Sequence, residues 1–324
     1  MATYTNRIEA ESLAPVVFII FRRPETTSRV FEEIRRARPS KLYVIADGAR
    51  RGNKEELALV SNTRSVIDGV DWPCDVTKIY AEKNLGLRER IMTGLDRVFD
   101  FEERAIILED DCLPSPSFFT FCSELLERYK GNREVSLISG SNFAPKDNMK
   151  RDYFFSHSMY IWGWATWAES WREFRKTPQV EQWLPEERNA LAASFASQIQ
   201  KREFFKMMDA AKHLNTWDIS LAVWMRQFNK FSIIPRLNLI ENIGFGEDAT
   251  HTKFEAFDVQ VTRSNFSGEI LHPEAIQTSS ALERRMWRVK SLRWLTFPLS
   301  HPIQFFSRMS RFLIARYGTG SHNG

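Results

Sequence analysis

The first 110 residues alternate short apolar runs with longer stretches of helical period. Pro15 to Phe21 (PVVFIIF) predicts a strand buried on both faces, because apolar residues fill it without alternation. Behind it Thr27, Val30, Phe31 and Ile34 recur at helical spacing, and Pro24 suits a first helical turn. Leu42 to Ala46, closed by Asp47-Gly48, and Val76 to Tyr80 predict a second and a third strand, with a helix over Glu55 to Ile67 between them. Leu87, Ile91, Leu95, Val98 and Phe99 mark one face of a third helix, which leads into a fourth strand over Ile106, Ile107 and Leu108. Three strand–helix units in succession imply an α/β fold: a largely parallel sheet with helices on its faces, since parallel strands need crossovers and these are right-handed.

The pattern then changes. Ser115-Pro116 reads as the N-cap and first residue of a helix whose buried stripe is Phe118, Cys122, Leu125, Leu126 and Tyr129. Val135 to Ser139 predicts another strand. From about Tyr153 the alternation lapses into an aromatic-rich segment, Tyr160 to Trp167 (YIWGWATW), with Trp171 beyond. Helices are expected over Pro185–Gln198 and Arg202–His213, and again where Trp217, Leu221, Trp224, Met225 and Phe228 share a face. A strand over Phe231–Ile234 follows, then a glycine-rich polar loop from Asn242 to His251.

Composition narrows the class. The 324 residues are 43% hydrophobic and 27% charged, which is ordinary for a globular chain and excludes wholesale disorder. Three cysteines without metal spacing favour a reduced, cytoplasmic compartment over a disulfide framework. No signal peptide is read at the start, and no stretch reaches membrane-spanning length. The net charge of +4 comes from one end. After Glu283 there are eight cations and no acid, leaving 37 basic against 41 acidic residues in the first 283. Arg284 to Arg316 interleaves these cations with Met286, Trp287, Leu292, Trp294, Phe305, Phe306 and Phe312, the pattern of a basic amphipathic segment at an anionic membrane surface. A helix packed on the domain with its arginines in water fits the same pattern. Nucleic acid is not an expected partner, since the body is acidic and no reading motif is present.

The candidate chemistry centres on Glu109-Asp110-Asp111, where the fourth strand stops at three adjacent acids. Carboxylates at the carboxyl edge of a parallel sheet stand where open α/β folds bind ligands. Crowded there, they invite a hard cation with oxygen ligands, Mg²⁺ or Mn²⁺; a solvated acidic turn is the plainer reading.

The stretches PVVFIIFRRPETT, LYVIADGAR, EKNLGLRERI, IILEDDCLPSPSFFTF and YIWGWATWAESW, in this order across Pro15 to Trp171, resemble nucleotide-sugar-dependent glycosyltransferases of the GT-A fold, bacterial family 2-like proteins related to the N-acetylglucosaminyltransferase I type. A weaker likeness continues through NTWDISLAVWM to GFGEDATHT. The chain departs at Arg22, where Asn is more usual, and at Leu87, often a Cys.

The resemblance implies a Rossmann-like GT-A domain over residues 10–283, with a nucleotide-sugar half (10–145), an aromatic-rich acceptor half (146–283) and a separate tail (284–324). It implies that Asp111 ligates the metal, that Asp110 and Glu109 face the ribose and the donor sugar, and that His251 meets the metal or diphosphate. Asp47 would touch the nucleotide, or else form a simple Asp-Gly turn. Arg22 ends the first strand within reach of base or diphosphate. Asn84, Gly86 and Arg88 surround the start of the third helix, where backbone N–H groups and a cation approach phosphate. Asp218, in the first turn of its helix where the dipole favours a carboxylate, matches the family's catalytic base. Trp162, Trp164 and Trp167 are candidates for a sugar-ring wall, Trp164 foremost, although such dense aromatics also build core. Glu247 and Asp248 are candidate acceptor-site acids.

The expected activity is a metal-dependent, inverting transfer of a sugar from a nucleotide-sugar donor to a glycan or glycolipid hydroxyl, of polysaccharide or lipopolysaccharide type, in the cytoplasm at the inner face of the membrane. The alternatives are a sugar-phosphate nucleotidyltransferase on a related sheet and a catalytically silent sugar-binding scaffold.

Overall fold

A computed structural model describes residues 13–143, 149–178, 182–183, 185–195, 197–211, 213–244, 262–279, 281–284 and 286–287. Its centre is an eight-stranded sheet. β1 (Val16–Ile20), β2 (Lys41–Ala46), β3 (Asp75–Tyr80) and β4 (Arg104–Glu109) run parallel in the spatial order β3-β2-β1-β4, in register from Val16↔Leu42 and Val16↔Ile106. The connections are α1 (Pro24–Ala37), α2 (Lys54–Ser65, continued by a 3₁₀ turn at Val66–Gly69) and α3 (Leu87–Phe99).

Period two divides the strand residues between two cores. Val16, Phe18, Ile20, Val44, Ile106 and Leu108 pack with Val30, Phe31 and Ile34 of α1, and with the phenylalanines and leucines of α4 (Pro116–Arg128). Val17, Ile19, Ile45, Ala105 and Ile107 face the other way. They meet Ile91, Leu95 and Phe99 of α3, Trp171 and Phe174 of α5 (Ala168–Arg175), and Leu221, Trp224 and Met225 of α8 (Asp218–Gln227). The protein is thus a three-layer α/β structure with its sheet covered on both faces.

The second half of the sheet is mixed. β8 (Trp164–Trp167) runs antiparallel beside β4 and β6 (Val135–Ser139); β9 (Phe231–Pro235) is parallel to β6, and β7 (Tyr153–Ser156) closes the edge antiparallel to β9. Four of the seven pairings in the sheet are parallel. A separate two-stranded sheet pairs β5 (Cys112–Pro114) with β10 (Ile240–Asn242). Two further helices, α6 (Pro185–Ala192) and α7 (Gln198–Ala211), pack through Leu191, Phe204 and Met208 onto Val223 of α8.

Trp164, expected in a sugar-binding wall, is instead 1% exposed. It lies in β8 with ring centroids 6.5 Å from Trp171 and 5.6 Å from Trp217, so it fills the core and offers no face to a ligand. Met286 and Trp287, which the sequence places on the apolar face of the tail, are buried as well: Met286 packs with Phe154 and Ile234, and Trp287 donates its indole N–H to Ser158 Oγ at 3.2 Å. Among the described residues no helix is long and apolar enough to cross a membrane. The rest of the tail, 288–324, lies outside the described residues.

Candidate active site

The carboxyl ends of β1, β2 and β4 open into a cavity of about 300 Å³. β1 leads to β2 on one side and lies against β4 on the other, the kind of switch point at which open α/β sheets bind ligands. One side of the cavity is acidic and the other basic.

The acidic side begins where β4 ends at Glu109 and Asp110-Asp111 turn the chain into β5. The turn is held from three directions. Phe21 N–H, at the end of β1, donates to Asp110 Oδ2 at 3.1 Å. Ile243 N–H, just beyond β10, donates to Asp111 O at 2.8 Å. Gly244 presses so close that a Cβ there would stand 2.3 Å from Asp111 Oδ2, and only glycine fits. Asp218, the first residue of α8, brings a fourth carboxylate to the same cavity and accepts a hydrogen bond from the Thr216 hydroxyl. Trp162 and Trp217 line the wall between them.

Arg23 is a counter-ion to two of these carboxylates. Arg23 Nη1 lies 2.8 Å from Asp111 Oδ2 and 3.8 Å from Asp110 Oδ1. This is too little to compensate burial. Desolvation first, and then the charge of Asp111, raise Glu109 to about 8 and Asp110 to about 7, with Asp218 adding to the pressure on Glu109 and Arg23 relieving part of both. Both shifts favour the protonated carboxyl over the charged one.

Can these residues hold a divalent cation? Their oxygen-only donor set suits Mg²⁺ or Mn²⁺. Among the described residues no three acid, histidine or cysteine side chains converge on one point, so an all-protein cage does not fit. A cation held by one or two carboxylates, with substrate phosphates and water completing its shell, does fit.

The basic side is organised by two buried acids that are themselves saturated. Asp47 Oδ1 accepts from Gly48 N–H and Leu85 N–H at 2.9 Å; Oδ2 accepts from Asn84 Nδ2 and Gly86 N–H at 3.0 Å. The strand-end aspartate therefore pins the loop that starts α3, where Gly86 takes the N-cap position with φ 83°, a left-handed conformation natural to glycine. Glu56, in the first turn of α2 and 1% exposed, gathers Arg22 and Arg50. Arg90, 7% exposed on α3, donates to Ile79 O at 3.1 Å and lines the cavity floor; burial lowers its pKa.

Of the residues singled out in the sequence, Glu109, Asp110, Asp111, Asp218, Arg22, Asp47, Asn84, Gly86 and Trp162 line this one cavity. Trp164 does not, for the reason given above. Nor does Arg88: it is two positions from Arg90 on α3, hence about 200° around the helix, and Arg90 takes the cavity side. His251, Glu247 and Asp248 lie outside the described residues. Arg23, Arg50, Arg90, Trp217 and Asn242 were not anticipated. Arg23 and Trp217 stand next to residues that were, and the Arg22-Arg23 and Arg50-Arg51 doublets just past two strand ends were the available signal for the basic side.

No family profile and no curated protein sequence matches this chain. Solved structures match in part. An apo UDP-glucose pyrophosphorylase is similar over 70% of this chain and 93% of its own, at 10% identity and TM-score 0.36. A glucose-1-phosphate thymidylyltransferase from Bacillus anthracis, in complex with sucrose, is similar over 51% of this chain and 76% of its own (10% identity, TM-score 0.32). A UDP-glucose pyrophosphorylase complexed with UDP-glucose is similar over 44% and 62% (12% identity, TM-score 0.26).

Proposed function

We propose that this chain is a glycosyltransferase that moves a sugar from a nucleoside-diphosphate donor to a hydroxyl of a glycan or glycolipid. The observation that carries the reading is the polarity of the cavity: Glu109, Asp110 and Asp111 from one strand end and Asp218 from a distant helix on one side, Arg22, Arg50 and Arg90 on the other. Such a cavity suits a ligand with a diphosphate shared with a cation, a polyhydroxylated end and a base.

Asp111 would hold the cation, with His251 proposed as a second protein ligand, Asp110 facing the ribose and Glu109 the donor sugar. A divalent cation bound there supplies Lewis-acid stabilisation of the charge that leaves with the diphosphate. Glu109 lines the cavity beside Asp111 and offers its carboxyl oxygens to sugar hydroxyls. Trp162 supplies apolar surface for the sugar ring. Asp218, fixed by Thr216, takes the proton of the acceptor hydroxyl as that oxygen displaces the nucleoside diphosphate from the anomeric carbon in one step, with inversion. The basic tail would bring the enzyme to an anionic membrane carrying a lipid-linked acceptor. Flotation with phosphatidylglycerol vesicles is expected for the full chain and not for residues 1–287; equal flotation would remove that part of the reading.

The decisive assay incubates the protein with Mn²⁺ and a panel of nucleotide sugars. Chelator-sensitive release of nucleoside diphosphate is expected. Pyrophosphate-dependent formation of nucleoside triphosphate would instead make it a sugar-phosphate nucleotidyltransferase, which could use the same cavity. Neither product would leave a binding scaffold.

A further inference from the structure

The Arg22–Arg50–Glu56 cluster is more elaborate than a strand end requires. Phe21, Arg22 and Arg50 all line the cavity on the β2 side. The guanidinium carbons of Arg22 and Arg50 lie 5.9 and 5.7 Å from the Phe21 ring centroid, and both groups donate to Glu56 Oε1, Arg22 at 3.1 Å. The Arg50 backbone N–H takes Glu56 Oε2 at 2.7 Å, and the Asn53 cap fixes the start of the helix carrying Glu56 through Glu56 N–H at 2.9 Å. Glu56 therefore acts as a buried brace whose oxygens are spent on the arginines.

Two consequences follow for what this wall can recognise. Two cations against one carboxylate leave the cluster with a formal charge of +1. Each guanidinium also carries five N–H donors and no acceptor, so one bond to Glu56 leaves several donors for a ligand. Asp47, the other acid here, already accepts four hydrogen bonds, which fills its lone-pair sites. Asn84, which lines the cavity, gives its amide nitrogen to Asp47 and to Gly48 O at 2.9 Å, and among the described residues its side-chain oxygen accepts no hydrogen bond. The wall thus offers guanidinium donors with one amide oxygen. The ends of β2 and β4 are two strand spacings apart, about 10 Å, so a nucleotide whose diphosphate lies by Asp111 places its base at this wall.

We propose that Arg22 and Arg50, braced by Glu56, select nucleotides whose base presents a keto oxygen beside a ring N–H (uracil, thymine, guanine) over those presenting an amino group beside a bare ring nitrogen (cytosine, adenine). A keto oxygen accepts from the guanidinium fork, and the adjacent ring N–H pairs with the Asn84 oxygen. An amino group turns donor against donor and leaves both sides unpaired, which is the kind of mismatch that gives strong discrimination. The selection rests on the reading that the cavity takes a nucleoside diphosphate.

The test is calorimetric titration of the full-length protein, with Mn²⁺ present, by UDP, CDP, GDP and ADP. UDP is expected to bind at least roughly tenfold more tightly than CDP, and GDP than ADP. Arg50→Gln should bring each ratio to within about threefold, chiefly by weakening UDP and GDP. Arg50→Lys, which keeps the charge but not the planar fork, should do the same with an unchanged melting temperature. Equal binding of all four by the wild type, or ratios preserved in both variants, would overturn the selection while leaving the nucleotide site intact. Binding of none of the four would overturn the proposed function itself.

Discussion

Replacing Glu109 by glutamine removes a charge that the fold holds at a cost, so the variant should be more stable than the wild type in alkaline, chelator-treated solution. In the folded state burial and Asp111 raise Glu109 from 4.5 to about 8, and Asp110 to about 7. A carboxyl with a raised folded pKa keeps a proton that the unfolded chain gives up. Its stabilising share is therefore complete below about pH 4.5 and is lost as pH rises through about 8. A displacement of that size in Glu109 corresponds to roughly 5 kcal/mol. Because Asp110 and Asp111 share the same repulsion, and the cavity admits water, the loss expected between pH 5 and pH 9 is on the order of 3 kcal/mol. Urea denaturation at unit pH steps, followed by tryptophan fluorescence, measures it. Wild type and Glu109→Gln should lie closest below about pH 5 and diverge steadily from there to about pH 8, the variant ahead by about 2–3 kcal/mol at pH 9. Adding Mn²⁺ should narrow the gap between them. Parallel pH profiles, or a variant weaker at every pH, would refute the electrostatic account of the acidic side.

Other residues carry sharper, more local expectations. Asp218→Asn should keep donor affinity and lower transfer by about 100- to 10,000-fold, read as kcat against the donor's dissociation constant. Gly244→Ala drives a methyl group into Asp111 and should cut turnover on the order of 100-fold with little change in melting temperature. Asp47→Ala unmakes four hydrogen bonds and should cost on the order of 2–3 kcal/mol in urea unfolding, because it releases the 84–86 loop. Trp164→Ala should cost about 3–5 kcal/mol as a core cavity, with the donor KM of the surviving folded protein unchanged.

The parallel half of the sheet could be read from sequence because β1, β2 and β4 are buried apolar runs and α1 and α3 carry full apolar stripes. Val135–Ser139 and Leu87–Phe99 fall where their patterns put them. In the mixed half β6 and β9 were legible as well, whereas β7 and β8 were not. WATW, flanked by glycine and more aromatics, carries no alternation to mark it as β8, and three-residue strands such as Cys112–Pro114 and Ile240–Asn242 are too short to hold a period. The acids were legible because three of them interrupt an apolar run. Arg50 and Glu56 were not: their partnership joins a loop to a buried helix face, and nothing in linear spacing distinguishes Glu56 from the solvated Glu55 beside it. The choice between Arg88 and Arg90 likewise depends on the phase of α3 against the sheet, which packing decides.

The central claim is that the acidic end of the cavity takes a divalent cation together with a nucleotide's diphosphate. Anomalous diffraction at the manganese edge, from crystals grown with Mn²⁺ and UDP, tests it directly. The account predicts one strong peak against the Asp111 carboxylate, with diphosphate density touching it and Arg23 withdrawn from Asp111 Oδ2. Diphosphate density with no manganese peak at Asp111, or manganese bound elsewhere while Arg23 stays in place, would contradict it.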